Sequence, residues 1–160
     1  MTLIDGYNLL HALGMAPKPG GMSLERSRLR MLEWLAGELG EEAADVGVIF
    51  DSQMMTGDNE QTHRGIWMRF SRGQSADDLI EELIRQEPVP ARLTVVSNDH
   101  RIQVAAKRRG CLFWDCEQFV DWLQSLAKKP REEPRAEVGE KPLAPSGVEM
   151  DEWLRRFGAK

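Results

Sequence analysis

Four short apolar runs in this chain each end in a carboxylate. Leu3-Ile4 precedes Asp5, Val46-Gly47-Val48-Ile49-Phe50 precedes Asp51, Leu93-Thr94-Val95-Val96-Ser97-Asn98 precedes Asp99, and Cys111-Leu112-Phe113-Trp114 precedes Asp115. Buried parallel strands read this way, and in open α/β sheets ligands bind in the crevice beyond the carboxyl ends of the strands. A further acidic pair, Asp77-Asp78, follows Ser75-Ala76. Carboxylates repel one another, so several at one sheet edge are costly unless a cation sits among them. Oxygen-only donors suit Mg²⁺ or Mn²⁺ rather than zinc. Such ions bind phosphate oxygens, lower the pKa of an attacking water and stabilise a leaving oxygen.

Each acid also has a plainer reading. A lone Asp at a strand end is more often a helix cap or loop residue than a ligand. Asp77 and Asp78 fall in the first turn of a predicted helix, where negative charge favours the macrodipole, and Asp115 is well placed to cap the helix after it. What favours the chemical reading is the number of acids that one sheet edge would gather. Arg64, Arg69 and Arg72 flank these acids in sequence and are candidate phosphate contacts. Lys107-Arg108-Arg109 reads as a solvated helix end. His11, His63 and His100 have no ligand spacing, and only His100 adjoins an acid of interest, Asp99.

The elements that must carry these residues can be read in order. After the first strand a brief helical turn spans Leu9 to Leu13, and Met15 to Met22, with two prolines and two glycines, is loop. Ser23 caps a helix to Leu39, with Leu24, Leu29, Leu32, Leu35 and Leu39 as its expected apolar stripe. The second strand covers Asp45 to Phe50, Ser52 to Arg64 reads as a polar loop, and Ile66-Trp67-Met68-Arg69-Phe70 as a third strand. Ser75 opens a second long helix with Asp78 in the capping position and Leu79, Ile80, Leu83 and Ile84 at helical spacing. Pro88 and Pro90 end it before the Leu93 strand. A helix from Asp99 to Gly110, the Cys111 strand and a helix over Glu117 to Leu126 complete the order β-α-β-β-α-β-α-β-α. That order predicts an α/β fold, a three-layer α/β/α sandwich with a mainly parallel sheet.

The 160 residues allow one domain and a small appendage. Residues 1–127 form the expected domain. From Lys128 to Gly147 the chain is rich in charge and proline and reads as a linker. Residues 148–158, with Trp153, Leu154 and Phe157, read as a short amphipathic helix that would dock on its own domain, on a partner or on a second copy of the chain. With 26 acidic against 21 basic residues, the net charge of −5 argues against a nucleic-acid coat or a membrane-surface protein but not against an enzyme acting on nucleic acid. Two cysteines, no leader-like start and no membrane-length apolar run make a cytoplasmic protein the expectation.

Taken together, Asp5-Gly6-Tyr7-Asn8, Phe50-Asp51, Ala76-Asp77-Asp78-Leu79-Ile80-Glu81 and Ser97-Asn98-Asp99, with Gln103 four residues on, follow in the order and spacing of the NYN domains. Residues 1–127 resemble the YacP-like branch of that group, within the PIN-like nuclease superfamily. The resemblance implies a PIN-like fold and a metal-dependent endoribonuclease using Mg²⁺ or Mn²⁺. Asp5, Asp77 and Asp99 match the family's acidic metal-site positions, Asn8 the polar residue after the first acid, and Asp51 the less uniform second-strand acid; Asp78 is a further candidate ligand. In NYN domains of animal messenger-RNA-degrading nucleases the position of Gln103 is an Asp, whereas YacP-like members resemble this chain in carrying Gln. RNA is the implied partner, and bacterial relatives include a ribosome-associated ribonuclease. The segment after residue 128 lies outside this resemblance.

A haloacid-dehalogenase-type phosphatase would need an acid two residues after Asp5, where Tyr7 stands. A Rossmann or P-loop nucleotide binder would need more glycines than Gly6. The alternative from another class is a catalytically weak RNA- or ribosome-binding module.

Overall fold

Leu3 and Ile4 are fully buried because strand β1 (Thr2–Asp5) is covered on both faces. It pairs in parallel with β2 (Val46–Asp51) on one side and β5 (Thr94–Val96) on the other. Outward from β2 lie β4 (Ile66–Ser71), parallel, and β3 (Glu60–His63), antiparallel; outward from β5 lies β6 (Leu112–Trp114), parallel. The six-stranded order is β3-β4-β2-β1-β5-β6. The computed structural model of the chain describes residues 1–51 and 59–128. Within it, Met1–Lys128 pack as one unit.

Helices α1 (Gly6–Ala12), α2 (Leu24–Leu39) and α5 (Cys116–Lys128) pack against one another on one face of the sheet. On the opposite face, α3 (Ala76–Gln86) and α4 (His100–Arg109) share a core with Leu3, Ile49 and Val95, built from Leu79, Ile80, Ile84, Ile102 and Ala106. This is the expected three-layer α/β/α sandwich. The chain leaves β1 toward β2 but crosses from β4 to β5, on the other side of β1, so connections diverge at the carboxyl end of β1. That divergence opens a crevice there.

Local sequence explains most element ends. Ser23 Oγ accepts from Arg26 N, Ser75 Oγ accepts from Asp78 N, and Gly110 closes α4 at φ 87°, a left-handed conformation that costs glycine little. Gly6 is required by a close approach: a Cβ there would stand 2.5 Å from Phe50 Cε1 and 2.9 Å from the Ile49 carbonyl oxygen.

The structure departs from the sequence reading in three places. Glu60–His63, expected within a polar loop, is the edge strand β3, joined to β4 by Arg64-Gly65 with φ of 48° and 91°, the signs of a type I′ hairpin turn. Its residues carry no apolar alternation because both faces are largely exposed. The first helix begins at Gly6 rather than Leu9. The buried face of α2 is Ser27, Met31, Leu32, Leu35, Ala36 and Leu39, while Leu29, half exposed, and Leu24 fall outside it. Beyond Lys128, which ends α5, the expected linker to residue 147 and the helix at 148–158 lie outside the described residues. Among the described residues no helix is long and apolar enough to cross a membrane, and Cys111 and Cys116 are both buried and free.

Candidate functional site

Side chains alternate along a strand, so Asp5 points to the same face as Leu3, toward α3 and α4. It is only 3% exposed. Asp5 caps α1, accepting from Asn8 N at Oδ1 (3.4 Å), while Oδ2 accepts from Asn8 Nδ2 (2.9 Å) and Ser97 Oγ (3.3 Å). All three donors are neutral. Burial raises the Asp5 pKa from 3.8 to about 6; the Asn8 and Ser97 hydrogen bonds oppose that rise and the charge of Asp77 adds to it. A buried carboxyl held by dipoles alone is destabilised in its ionised form.

Two loops bring further acids to it. Ser75 caps α3 and leaves Asp77 in the first helical turn, facing the same cleft as Asp5. Asp99 caps α4 by accepting from Arg101 N (2.8 Å). Partial burial raises the Asp77 pKa, and the Asp99 carboxyl within hydrogen-bonding reach raises it further. Asp51 is exposed on the cleft margin, where its Oδ1 accepts from Ser71 Oγ (3.3 Å). Asp5, Asn8, Asp51, Asp77 and Asp99 thus line one open cleft of about 340 Å³.

The support beneath these acids is a chain of hydrogen bonds. Asn8 Oδ1 accepts from Asn98 N (3.0 Å), so one amide joins the Asp5 carboxyl to the loop after β5. Ser97 Oγ, besides donating to Asp5, accepts from Asp99 N (3.0 Å). Gln103 Nε2 donates to the Ser97 carbonyl (2.9 Å). Gln103 therefore holds the loop that positions Asp99. An Asp in its place would be too short and would lack the donor.

Other predicted residues are placed elsewhere. Asp78 pairs with Arg101 (2.6 Å), whose guanidinium also meets Glu81 (2.7 Å), and this bond holds the Asp78 carboxyl below the usual carboxylate range. It does not line the cleft. Arg64 sits in the β3–β4 turn, at the opposite end of β4 from the cleft, paired with Glu33 (2.7 Å). The Arg69 Nε lies 3.7 Å from Glu60, and Arg72 is exposed after β4; neither lines the cleft. Asp115 has the capping role: it accepts from Gln118 N at 2.7 Å while its own N–H donates to Gln118 Oε1 at 3.2 Å.

The sequence reading missed Arg28. Its guanidinium carbon lies 5.1 Å and 5.3 Å from the ring centroids of Phe50 and Phe70, its Nη2 donates to the Asp51 carbonyl (3.1 Å), and it lines the cleft. The only sequence signal is its position one residue after buried Ser27.

Among the described residues, no three acids, imidazoles or thiols close on one point as a ready coordination shell. The donor chemistry nevertheless fits a Mg²⁺ or Mn²⁺ ion: the cleft acids offer oxygen only, and the most buried of them has no cation against it among the described residues.

Residues 2–152 match the family of YacP-like NYN domains, a reach well beyond residue 127, where the motif resemblance was expected to end. Among solved structures the chain is similar to Rae1 (YacP) from Bacillus subtilis, at 21% identity over 79% of this chain and 75% of that one, with a TM-score of 0.59. A tryptophan-to-leucine mutant of the same protein gives 21% identity, 79% and 76% coverage and a TM-score of 0.61. At that identity the likeness concerns the fold. No curated protein matches the chain. With a family match spanning most of its length and a six-stranded α/β sandwich like that of a YacP protein, the chain belongs to the YacP-like NYN domain family, whose fold is of nuclease type.

Proposed function

We propose that the cleft is the active site of a metal-dependent endoribonuclease that hydrolyses RNA phosphodiester bonds in the cytoplasm, on messenger RNA or ribosome-associated RNA. The observation that carries this reading is Asp5: a carboxyl 3% exposed, raised to about pKa 6, beside Asp77 and paired with no cation among the described residues. Asp5, Asp77 and Asp99 would hold Mg²⁺ or Mn²⁺, with Asp51 at the margin. When bound, such an ion lowers the pKa of an attacking water and stabilises the leaving oxygen.

The chain's own groups do the rest. Asn8 Nδ2 and Ser97 Oγ fix the Asp5 carboxylate, so that its ordering entropy is spent before substrate arrives. Burial raises the pKa of Asp5 and of Asp77, and a cation must displace any proton they hold, so cation affinity should rise with pH. Membership of a nuclease-like family supports the class of reaction.

The test is incubation of purified full-length protein with end-labelled RNA and Mg²⁺ or Mn²⁺. Internal cuts, lost on chelation and restored by the ion, are the expected result. RNA binding without cleavage under either ion would overturn the enzymatic reading in favour of a binding module.

A further inference from the structure

The acid cluster occupies only part of the cleft. Other residues lining it differ in chemistry. Tyr7 leaves 50% of its surface open; its one ring contact among the described residues is an edge-on meeting with His11 at 4.6 Å. Leu24, 37% exposed, extends the apolar surface, and Arg28 lies behind it on the Phe50 and Phe70 rings.

Arg28 is the one cation among the described residues that line the cleft, against four acids. Desolvation lowers its pKa while the charges of Glu25 and Asp51 oppose that, yet it makes no ion pair among the described residues. Its one hydrogen bond among the described residues runs from Nη2 to the Asp51 carbonyl, and its guanidinium lies over the Phe50 and Phe70 rings. An arginine held by rings and a carbonyl, with no ion pair among the described residues, keeps donor capacity for an anion. The exposed Tyr7 ring, which lines the same cleft, offers a flat face to an apolar or aromatic group.

We infer that Tyr7 and Arg28 form a subsite for an unpaired nucleotide, the base stacking on the Tyr7 ring and a flanking phosphate meeting Arg28. This rests on the reading of the cleft as a nuclease site and assigns two residues of the cleft to gripping an unpaired stretch of RNA. A base inside a duplex is already stacked on both faces and cannot lean on Tyr7, whereas an unstacked base can, without regard to sequence. The acids repel phosphate in the cation-free protein. The strand is therefore anchored at the Arg28 end of the cleft.

The experiment measures binding apart from cleavage. Full-length protein carrying Asp77→Asn, in chelator, is titrated against a short fluorescent oligoribonucleotide, single-stranded or annealed to its complement. Tighter binding of the single strand is expected. Tyr7→Ala should weaken single-strand binding about 5- to 100-fold while Tyr7→Phe retains it, since one stacked base contributes on that scale. Arg28→Ala should weaken it about tenfold and lower the salt dependence by about one phosphate contact. If thermal melting shows Arg28→Ala unfolded, Arg28→Lys reads the same contact: a several-fold loss is expected and wild-type affinity overturns the assignment. Equal affinity for duplex, or an unchanged affinity in Tyr7→Ala, also overturns it. Cation-dependent cleavage by a protein whose affinity ignores both residues would sink the subsite and leave the nuclease reading standing. Binding that depends on both, with no cleavage under any divalent ion, would do the reverse.

Discussion

The Asp5 carboxyl is pulled in two directions, since its hydrogen bonds from Asn8 and Ser97 favour the charged form while burial and the Asp77 charge disfavour it. Burial wins, and a cation would reverse the balance. Removing one of the mutually repelling acids tests the same conflict. Asp77→Asn should reduce RNA cleavage to background while keeping the melting temperature of the cation-free protein equal to wild type or slightly above it. Nuclease assay and thermal melt on one preparation check this, and wild-type activity would leave Asp77 only the role of a favourable charge in the first turn of α3. Asn8→Ala removes the amide that orients Asp5 and tethers Asn98, and losses of this kind run about 10- to 100-fold in activity or metal affinity. Titrating the divalent ion against cleavage rate separates the two.

At the level of elements, the site depends on how the loop after β5 is held against β1. Gln103, one turn into α4, supplies that hold through the Ser97 carbonyl. Gln103→Ala should cost about 1 kcal/mol in a denaturant titration, the net worth of one neutral hydrogen bond. Gln103→Glu should cost more at pH 8 than at pH 5, because an ionised carboxylate then faces a carbonyl beside an existing acid cluster; a pH-independent cost would count against the brace. The turn from β1 into α1 is fixed by packing instead. Gly6→Ala forces a methyl against Phe50 and the Ile49 carbonyl, and overpacking of this kind costs about 1–3 kcal/mol.

For the whole molecule, the acids make stability depend on pH in an uncommon sense. A carboxyl whose pKa is raised on folding holds its proton in the native state after the unfolded chain has lost it, so stability falls as pH rises between the two values. For Asp5 the window runs from 3.8 to about 6, and full ionisation costs about 3 kcal/mol. Asp77 acts in the same direction. Asp78 and Glu33, held below the usual range by Arg101 and Arg64, act oppositely, but both are exposed and screened. The protein in chelator should melt at a lower temperature at pH 7.5 than at pH 5. Mg²⁺ or Mn²⁺ should restore more at pH 7.5. Asp5→Asn should flatten the profile, and a pH-independent melting temperature in the wild type would remove Asp5 as the buried, uncompensated charge.

The sequence by itself determined the sheet's central strands, the helices capped by Ser23 and Ser75, and the placement of Asp5 and Asp51 at the ends of strands and of Asp99 shortly after one, because apolar runs, caps and breakers act over a few residues. The ordered motifs carried the family for the same reason: each is short and its spacing is visible in one dimension. Tertiary structure alone decided which cation meets the cleft. Arg64, Arg69 and Arg72 are near the acids in sequence, but β3 and β4 carry them to other partners, while Arg28, from a helix before the second strand, reaches the cleft over Phe50 and Phe70. Asp78, adjacent to Asp77, is claimed by Arg101, 23 residues on. Glu60–His63 becomes a strand only through pairing with β4, having no apolar pattern of its own. In each case the outcome depends on which side chains another element brings alongside, and a one-dimensional pattern does not encode that neighbour.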